Sequence, residues 1–261
     1  MLLFCFYRCE EKVVIEARKA DDKLPMGKAL KALAFNKYFW MAAAIWMFQN
    51  VIFYITGTML PYYCKYIFMD DTLFSFLFLL EILVMVGTQA VLSPILLRKF
   101  GKRKMCIMGI TVAFVGHLIY LLNPLEYSWV VFSCFIRGVG FAPLNSVIFG
   151  FLGDVVEYAQ WKFHLRIEGL IFSGGSVGTK VGSGLTAAIL TNLLAMAGYV
   201  SSDSGAVTQP ESAIQMIINL YKYGPIFVWV VILAILFSWK LEAIYPQIMD
   251  DLAKREAKGE L

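Results

Sequence analysis

The sequence predicts an all-α integral membrane protein whose core is a bundle of six transmembrane helices. Hydrophobic residues make up 59% of the 261 positions and charged residues only 16%, whereas an ordinary globular domain carries about 25% charged residues. The apolar residues fall into runs that are long enough to cross a bilayer. The basic residues gather in short segments between these runs rather than over one surface, so the expected partner is membrane lipid and not nucleic acid.

Six apolar runs emerge when hydropathy is averaged over a window of about 19 residues. They cover residues 39–64, 73–97, 105–122, 129–152, 169–197 and 223–239. We therefore predict a transmembrane bundle over residues 39–245 and a cytosolic tail over residues 246–261. Residues 1–38 are expected to hold the end of a preceding helix and a cytosolic linker, because residues 1–7 are apolar but lack the basic start and the cleavage site of a signal peptide.

The distribution of lysine and arginine predicts which ends of the runs lie in the cytosol. Eight of these residues precede residue 39, five lie in 98–104, two lie in 153–168 and four follow from residue 240 onward. The segments on the other side hold only Lys65 and Lys222. By the positive-inside rule both termini of this multi-pass cell-membrane protein are cytosolic, and residues 199–222 form its one long external loop.

Lys180 is a lone lysine near the middle of the fifth apolar run. At 1.5 Å per residue it lies about 16 Å from the cytosolic boundary, near the midplane of the bilayer. A charge at that depth is costly, and intramembrane lysines usually face a protein interior or a water-filled path. Lys180 therefore marks a candidate site for transport or ion coupling. The alternative is a structural lysine that is neutralised by one buried carboxylate.

A helical projection of the fifth run at about 100° per residue separates two faces. Gly174, Gly178 and Gly182 recur every four residues, which predicts close approach of a neighbouring helix. The other face surrounds Lys180 within about 60° and carries polar and small side chains, namely Ser173, Ser176, Ser183, Ala187 and Thr191. This polar stripe predicts a helix that lines an aqueous cavity.

Four further residues are candidates for a substrate site. Glu81 lies about 12 Å from the external end of the second run, and Arg137 lies at a similar depth in the fourth. Two interpretations stay open for them: a structural ion pair, or charges that shape a substrate site. Asn50 and Tyr54 share one face of the first run, and a hydrogen-bonding group beside an aromatic ring suits a polyhydroxylated ligand.

Residues 174–178, Gly-Gly-Ser-Val-Gly, match the G-x-S-x-G pattern of serine hydrolases. That pattern requires a turn between a strand and a helix, whereas these residues lie inside an apolar run. Only His117 and His164 are available as general bases. We therefore predict that the chain is not an enzyme and has no catalytic residues.

The most specific pattern lies between the fourth and fifth runs. Residues 154–162 read Asp-Val-Val-Glu-Tyr-Ala-Gln-Trp-Lys, and residues 166–169 read Arg-Ile-Glu-Gly. Followed by a Gly/Ser-rich run with one lysine, this pattern resembles the glycoside–pentoside–hexuronide (melibiose permease-like) cation symporters of the major facilitator superfamily. The resemblance extends to Asn36-Lys37, to the cluster of Tyr62, Tyr63 and Tyr66, to the basic loop 99–104 and to Gly198-Tyr199.

The resemblance covers only the carboxyl-terminal half of such a transporter, its seventh to twelfth helices. It implies one half of a major facilitator fold that works by alternating access, with an amino-terminal six-helix half as the missing partner. Lys180 matches the family's lysine implicated in cation coupling, and Ser176 stands beside it in the site. Asp154 and Arg166 match cytosolic gate charges, and Glu157 joins them because it lies at the same membrane boundary.

These residues together predict the carboxyl-terminal half of a secondary transporter that couples a sugar or glycoside to Na⁺, Li⁺ or H⁺. The family's cation-binding carboxylates belong to the other half, so no cofactor and no metal site are expected within this half alone. Two alternatives are a truncated membrane fragment that does not transport and a major facilitator carrier of a non-sugar solute. The candidate cavity residues are Lys180, Ser176, Ser183, Arg137, Glu81, Asn50 and Tyr54.

Overall fold

A computed structural model describes residues 26–200 and 209–258 of the chain. These residues form α1 (Met26–Ala34), α2 (Lys37–Tyr66), α3 (Leu73–Leu122), α4 (Tyr127–Phe163), α5 (Glu168–Met196), α6 (Glu211–Ser238) and α7 (Leu241–Ala257). The all-helical prediction is thus confirmed for the residues described. Among them, α2, α3, α4 and α6 are long and apolar enough to cross a membrane. The 29-residue α5 is less apolar, because it carries a lysine, an asparagine and many Gly, Ser and Thr residues.

The 50-residue α3 is two helices that meet at Gly101. Gly101 has φ 77° and ψ 171°, a conformation that glycine adopts without the steric penalty of a Cβ atom. The chain folds back at Gly101, because both sides of the break contact α4. Gly138 of α4 lies against Glu81, before the break, and Gly140 lies against Gly109, after it. We call the two parts α3a (73–100) and α3b (102–122).

Each predicted apolar run lies within a helix to within one residue, but two helices extend well beyond their runs. α4 continues to Phe163, so the family-like pattern at 154–162 is helical rather than a connection. α6 begins at Glu211, so residues 211–222 of the predicted external loop are helical, whereas its residues 201–208 lie outside the described residues. The reason is physical: hydropathy locates the apolar length of a helix, whereas its polar extensions are stabilised by packing and by hydrogen bonds that hydropathy does not register.

The predicted glycine face of α5 packs against α2. A Cβ atom at Gly174 would lie 2.7 Å from Cζ of Phe39, and one at Gly182 would lie 2.6 Å from Cγ of Met47. Both distances are shorter than carbon–carbon contact, so glycine allows the two helices to approach to this distance. The prediction that this stripe is a packing face is confirmed.

The two ends of the bundle differ in character. One end, here called the basic end, holds α1, the Gly101 break, the carboxyl end of α4 and α7. There the carboxylate of Glu242 in α7 accepts hydrogen bonds from the backbone N–H groups of Lys102 (2.7 Å) and Arg103 (3.0 Å) at the start of α3b. At the opposite end the hydroxyls of Tyr66 and Tyr199 lie 3.2 Å apart and join α2 to the residues that follow α5.

Candidate functional site

Lys180 lies on a face of α5 that the described residues leave uncovered. The side chains of Lys180 and Ser176 are exposed, and Ser183 is half-buried. The Ser183 hydroxyl donates to the carbonyl oxygen of Lys180 at 3.0 Å and keeps its own oxygen free to accept a hydrogen bond. Within residues 26–200 and 209–258, no carboxylate oxygen lies within 4.0 Å of the Lys180 Nζ atom. The described residues therefore give no support to the alternative interpretation, in which a buried carboxylate of this chain neutralises Lys180.

A second exposed arc of α5 is apolar. It carries Val177, Val181 and Leu185, whose exposed fractions are 62%, 49% and 57%. These residues lie about 60° to 140° around the helix from Lys180 at 100° per residue. Lipid chains accept apolar side chains readily but make a charged group costly. The helix therefore has one arc suited to lipid and one arc, centred on Lys180, suited to protein or water.

Glu81 and Arg137 form an ion pair in the structure. The Oε2 atom of Glu81 accepts a hydrogen bond of 2.7 Å from the guanidinium of Arg137, whose side chain is only 2% exposed. Arg137 also donates to the Tyr221 hydroxyl at 3.0 Å and lies 3.3 Å from Nδ1 of His117. Of the two interpretations open from the sequence, the structure contains the ion pair. It connects α3a, α3b, α4 and α6 through side chains that are mostly buried.

Asn50 and Tyr54 stay on a partly open face of α2. Asn50 is half-buried and donates its amide to the carbonyl oxygen of Trp46, 2.8 Å away in the same helix. Tyr54 is exposed. No described hydrogen bond or ion pair links these two residues to Lys180 or to the Glu81–Arg137 pair, so the structure brings the cavity candidates together only as separate small groups.

A chain of three side-chain amides crosses the bundle and was missed by the sequence reasoning. The Gln49 amide donates to Oδ1 of Asn145 at 2.9 Å, and the Asn145 amide donates to Oε1 of Gln89 at 3.2 Å. The three residues come from α2, α4 and α3a, each well inside its helix. The carbonyl oxygen of Gln49 is buried and has no hydrogen-bond partner among the described residues. Amides at the centre of apolar runs were the signal available in the sequence.

The three predicted gate residues separate into two groups at the basic end. Asp154 is largely buried and pairs with Nζ of Lys102 in α3b at 2.5 Å. Glu157 instead faces Arg166, whose guanidinium is 3.7 Å from Oε1 of Glu157 and half exposed. The Arg166 side chain also lies 3.5 Å from the carboxylate of Glu168. Asp154 is therefore held by a partner among the described residues, whereas Arg166 keeps weak, solvent-accessible partners.

The carboxyl-terminal helix α7 completes this end of the bundle. The Tyr245 ring lies 5.5 Å from Nζ of Lys102. Burial, with the Asp154 and Glu157 carboxylates nearby, raises the pKa of Tyr245. The indole N–H of Trp161 in α4 donates to Oδ2 of Asp251 at 3.0 Å. These contacts, together with the Glu242 cap, fix α7 beneath α3b and α4.

Long apolar helices, buried ion pairs and a polar arc around a mid-helix lysine define an integral membrane protein with a polar interior. The family of MFS/sugar transport proteins matches residues 1–243 of the chain, and the chain belongs to this family. The fold is therefore that of the major facilitator group, and the resemblance inferred from residues 154–169 is confirmed.

Individual relatives carry transport names. The chain is 26% identical over 264 residues to the isoprimeverose transporter of Lactiplantibacillus pentosus. The matched region covers 99% of this chain and 53% of that protein. It is 23% identical over 256 residues to the uncharacterized symporter YjmB of Bacillus subtilis (strain 168), with 96% and 54% covered. It is also 26% identical over 151 residues to the glucuronide carrier protein homolog of Escherichia coli (strain K12), with 58% and 32% covered.

The chain spans about half the length of the first two of these relatives. The family and the relatives are transporters rather than enzymes, in agreement with the interpretation of the Gly-Gly-Ser-Val-Gly segment as part of a helix. The half-length match also agrees with the expectation of a missing partner half.

Proposed function

We propose that the chain is the carboxyl-terminal half of a cation-coupled sugar or glycoside symporter that works by alternating access. Its six spans are α2, α3a, α3b, α4, α5 and α6, and they rock against an amino-terminal six-helix half. The observation that carries the proposal is the uncovered polar arc around Lys180, in a transporter-family chain half as long as its relatives. An ammonium near the midplane requires water or a carboxylate, and a partner half that closes a cavity over α5 supplies both.

Lys180 acts in this proposal as a mobile counter-charge. Carboxylates of the partner half attract either the Lys180 ammonium or the coupling cation, because both are positive charges that compete for the same oxygens. Binding of Na⁺, Li⁺ or H⁺ therefore releases Lys180, and the loss of the cation restores the pair. Ser176 and Ser183, on the same arc, supply hydroxyls to the water or cation near this site.

The sugar is bound in this proposal by neutral hydrogen-bonding groups. The Gln49–Asn145–Gln89 chain has donors and acceptors at mid-depth, and its members Asn145 and Gln89 are only half-buried. Asn50 and Tyr54 lie on the open face of the same helix as Gln49. An amide cluster beside an exposed aromatic ring is the kind of lining that orients a polyhydroxylated ligand.

Opening and closing at the basic end is assigned to Arg166 and Glu157. Their 3.7 Å separation and the exposure of Arg166 describe a weak contact, worth about 1 kcal/mol or less. Interactions of that size break and form readily as two halves rock. We place this end in the cytosol of a cell membrane, with both termini on that side, because the basic segments gather there.

An anionic glycoside is the second candidate substrate. The favouring observation is the lysine without a carboxylate partner in the described part, in a chain that matches the glucuronide carrier protein homolog over 58% of its length. In that case Lys180 pairs with the substrate's carboxylate rather than with a carboxylate of the other half. Competition assays with neutral and acidic glycosides separate the two cases.

The test is uptake of labelled glycosides into proteoliposomes that contain this chain together with an amino-terminal six-helix half. With Lys180→Ala we expect the stimulation of uptake by Na⁺, Li⁺ or H⁺ to disappear while membrane insertion persists. Val181→Ala, on the lipid-suited arc beside it, is the matched control and keeps full stimulation. Normal cation stimulation in Lys180→Ala contradicts the proposed role of Lys180. Absence of all uptake by the wild-type pair favours a non-transporting fragment.

A further inference from the structure

The short helix α1 has three distinct faces. Its buried face consists of Ala29 and Ala32, which are 2% and 5% exposed. A second face holds exposed apolar side chains, including Leu30 at 52%. The third face carries Lys28 and Lys31, both exposed and about 160° and 100° around the helix from Leu30 at 100° per residue. A helix with one face for protein, one for apolar contact and one for charge suits a membrane surface.

The connection to α2 extends the exposed apolar face and holds α1 in a fixed orientation. Phe35 and Trp40 are 70% and 59% exposed. The indole N–H of Trp40 donates to the carbonyl oxygen of Ala34 at 2.9 Å, which ties the end of α1 to the first turn of α2. The buried Asn36 side chain accepts from the N–H groups of the next helix and caps it. The exposed aromatic rings therefore belong to a bonded turn rather than to a loose linker.

The position of α1 along the bundle matches the membrane boundary. A Cβ atom at Gly174, five residues inside the fifth apolar run, would lie 3.9 Å from a methyl group of Leu33. Gly174 lies about 120° around α5 from Lys180, next to the arc of Val177 and Val181. Thus α1 lies at the basic end, beneath the lipid-suited side of α5 and away from the polar arc.

The charge of this segment is of one sign. Residues 26–40 contain Lys28, Lys31 and Lys37, all exposed, and no acidic residue. A basic cluster beside exposed Trp, Phe and Leu side chains is complementary to a leaflet of anionic phospholipids, where aromatic rings lie at headgroup level and lysines reach the phosphates. Helix α7 differs, because its basic residues Lys254 and Arg255 lie among Asp250, Asp251 and Glu256.

We propose that α1 and the turn to Trp40 form a membrane-surface anchor that binds anionic phospholipid headgroups of the leaflet at the basic end. The apolar face of Leu30, Phe35 and Trp40 enters the acyl boundary, and Lys28, Lys31 and Lys37 contact the headgroups. This anchor fixes the start of α2 relative to the bilayer and is independent of the transport function proposed above.

The first test places a spin label at the exposed apolar face and at the basic face of the reconstituted chain. In vesicles of phosphatidylcholine and phosphatidylglycerol, a label at Leu30→Cys is expected to collide with oxygen more than with a water-soluble nickel chelate. A label at Lys28→Cys is expected to show the reverse. A Leu30 label that is shielded from both reagents means that protein covers this face, and one exposed mainly to the chelate means that water does. Either result overturns the proposal.

The second test is hydrogen exchange of residues 26–40 in nanodiscs with and without phosphatidylglycerol. We expect anionic lipid to slow exchange by about five-fold for each lysine engaged, and Lys28→Glu/Lys31→Glu to abolish that dependence. Lys254→Glu/Lys258→Glu makes the same change in net charge at the carboxyl end of α7, and this variant is expected to retain the dependence on anionic lipid. Equal exchange of the wild-type chain in both lipid compositions, or loss of the dependence in the α7 variant as well, refutes the anchor.

Discussion

The Glu81–Arg137 pair allows a sharp energetic prediction, because its two partners are unequally buried. The Arg137 side chain is 2% exposed, whereas that of Glu81 is 24% exposed. Glu81→Gln leaves the guanidinium with neutral partners in a low-dielectric interior, and an uncompensated buried charge costs about 3–5 kcal/mol. We expect about 3 kcal/mol, the lower end, since Tyr221 and His117 stay in contact with Arg137.

Removing both charges is expected to be cheaper than removing the carboxylate alone. In the double variant Glu81→Leu/Arg137→Met no charge stays buried, and similar volume is kept, so it should be at least as stable as Glu81→Gln. The readout is reaction of the buried thiols of Cys64, Cys106 and Cys134 with a fluorogenic reagent on heating, in a background without Cys5 and Cys9. Exposed Glu126→Gln is the control and should stay within about 0.5 kcal/mol of the parent.

Additive effects of the substitutions at Glu81 and Arg137 would contradict the proposed interaction between the two side chains. If the double variant loses the sum of the costs of the single variants Glu81→Leu and Arg137→Met, the two side chains do not interact in the folded protein. If Glu81→Gln costs no more than the Glu126 control, the guanidinium is solvated and the burial described for it is incorrect. Both outcomes are visible in one series of unfolding curves.

Three further predictions use the same assay. Gly182→Ala should destabilise the protein by about 1–3 kcal/mol, because its new methyl group meets α2. Gly184→Ala, with open space around it, should be neutral. Equal effects of the two substitutions would contradict the packing of α5 on α2. Lys102→Ala should lower the free energy of unfolding more than Asp154→Asn does, because Lys102→Ala leaves the more buried partner, Asp154, charged. The reverse order would count against this ion pair. Glu242→Ala should cost about 1 kcal/mol through loss of the cap on α3b, and an unchanged midpoint would disprove that cap.

The features that depend on composition and on the helical spacing of residues could be predicted from the sequence. Apolar runs located the helices, and the four-residue spacing of glycines located the face of α5 that packs on α2. Both signals act locally, since burial of a run and close approach of a helix depend on residues near in sequence. The polar arc of Lys180 followed from the same projection, and the structure leaves it exposed as that projection requires.

Ion pairs between residues that are distant in the sequence could not be predicted from it. The sequence left open whether Glu81 meets Arg137, and it did not indicate that Lys102 pairs with Asp154. Such choices depend on which helix faces lie together after folding, and a projection of single helices has no information on that. The fold-back at Gly101, which brings Lys102 to α4, is the decisive event that hydropathy does not register.

The distribution of charge in this chain fits the rocking motion that we propose. A half that moves as a rigid body must keep its own shape, and the pairs Glu81–Arg137 and Lys102–Asp154 each join different helices of the same half at short distance. Such pairs cannot respond to the partner half without exposing a buried charge. Lys180 differs, because no described carboxylate holds it and its arc is open. In the transport cycle that we propose, the internally paired charges stabilise the moving body, and Lys180 is the charge available to sense what the other half has bound.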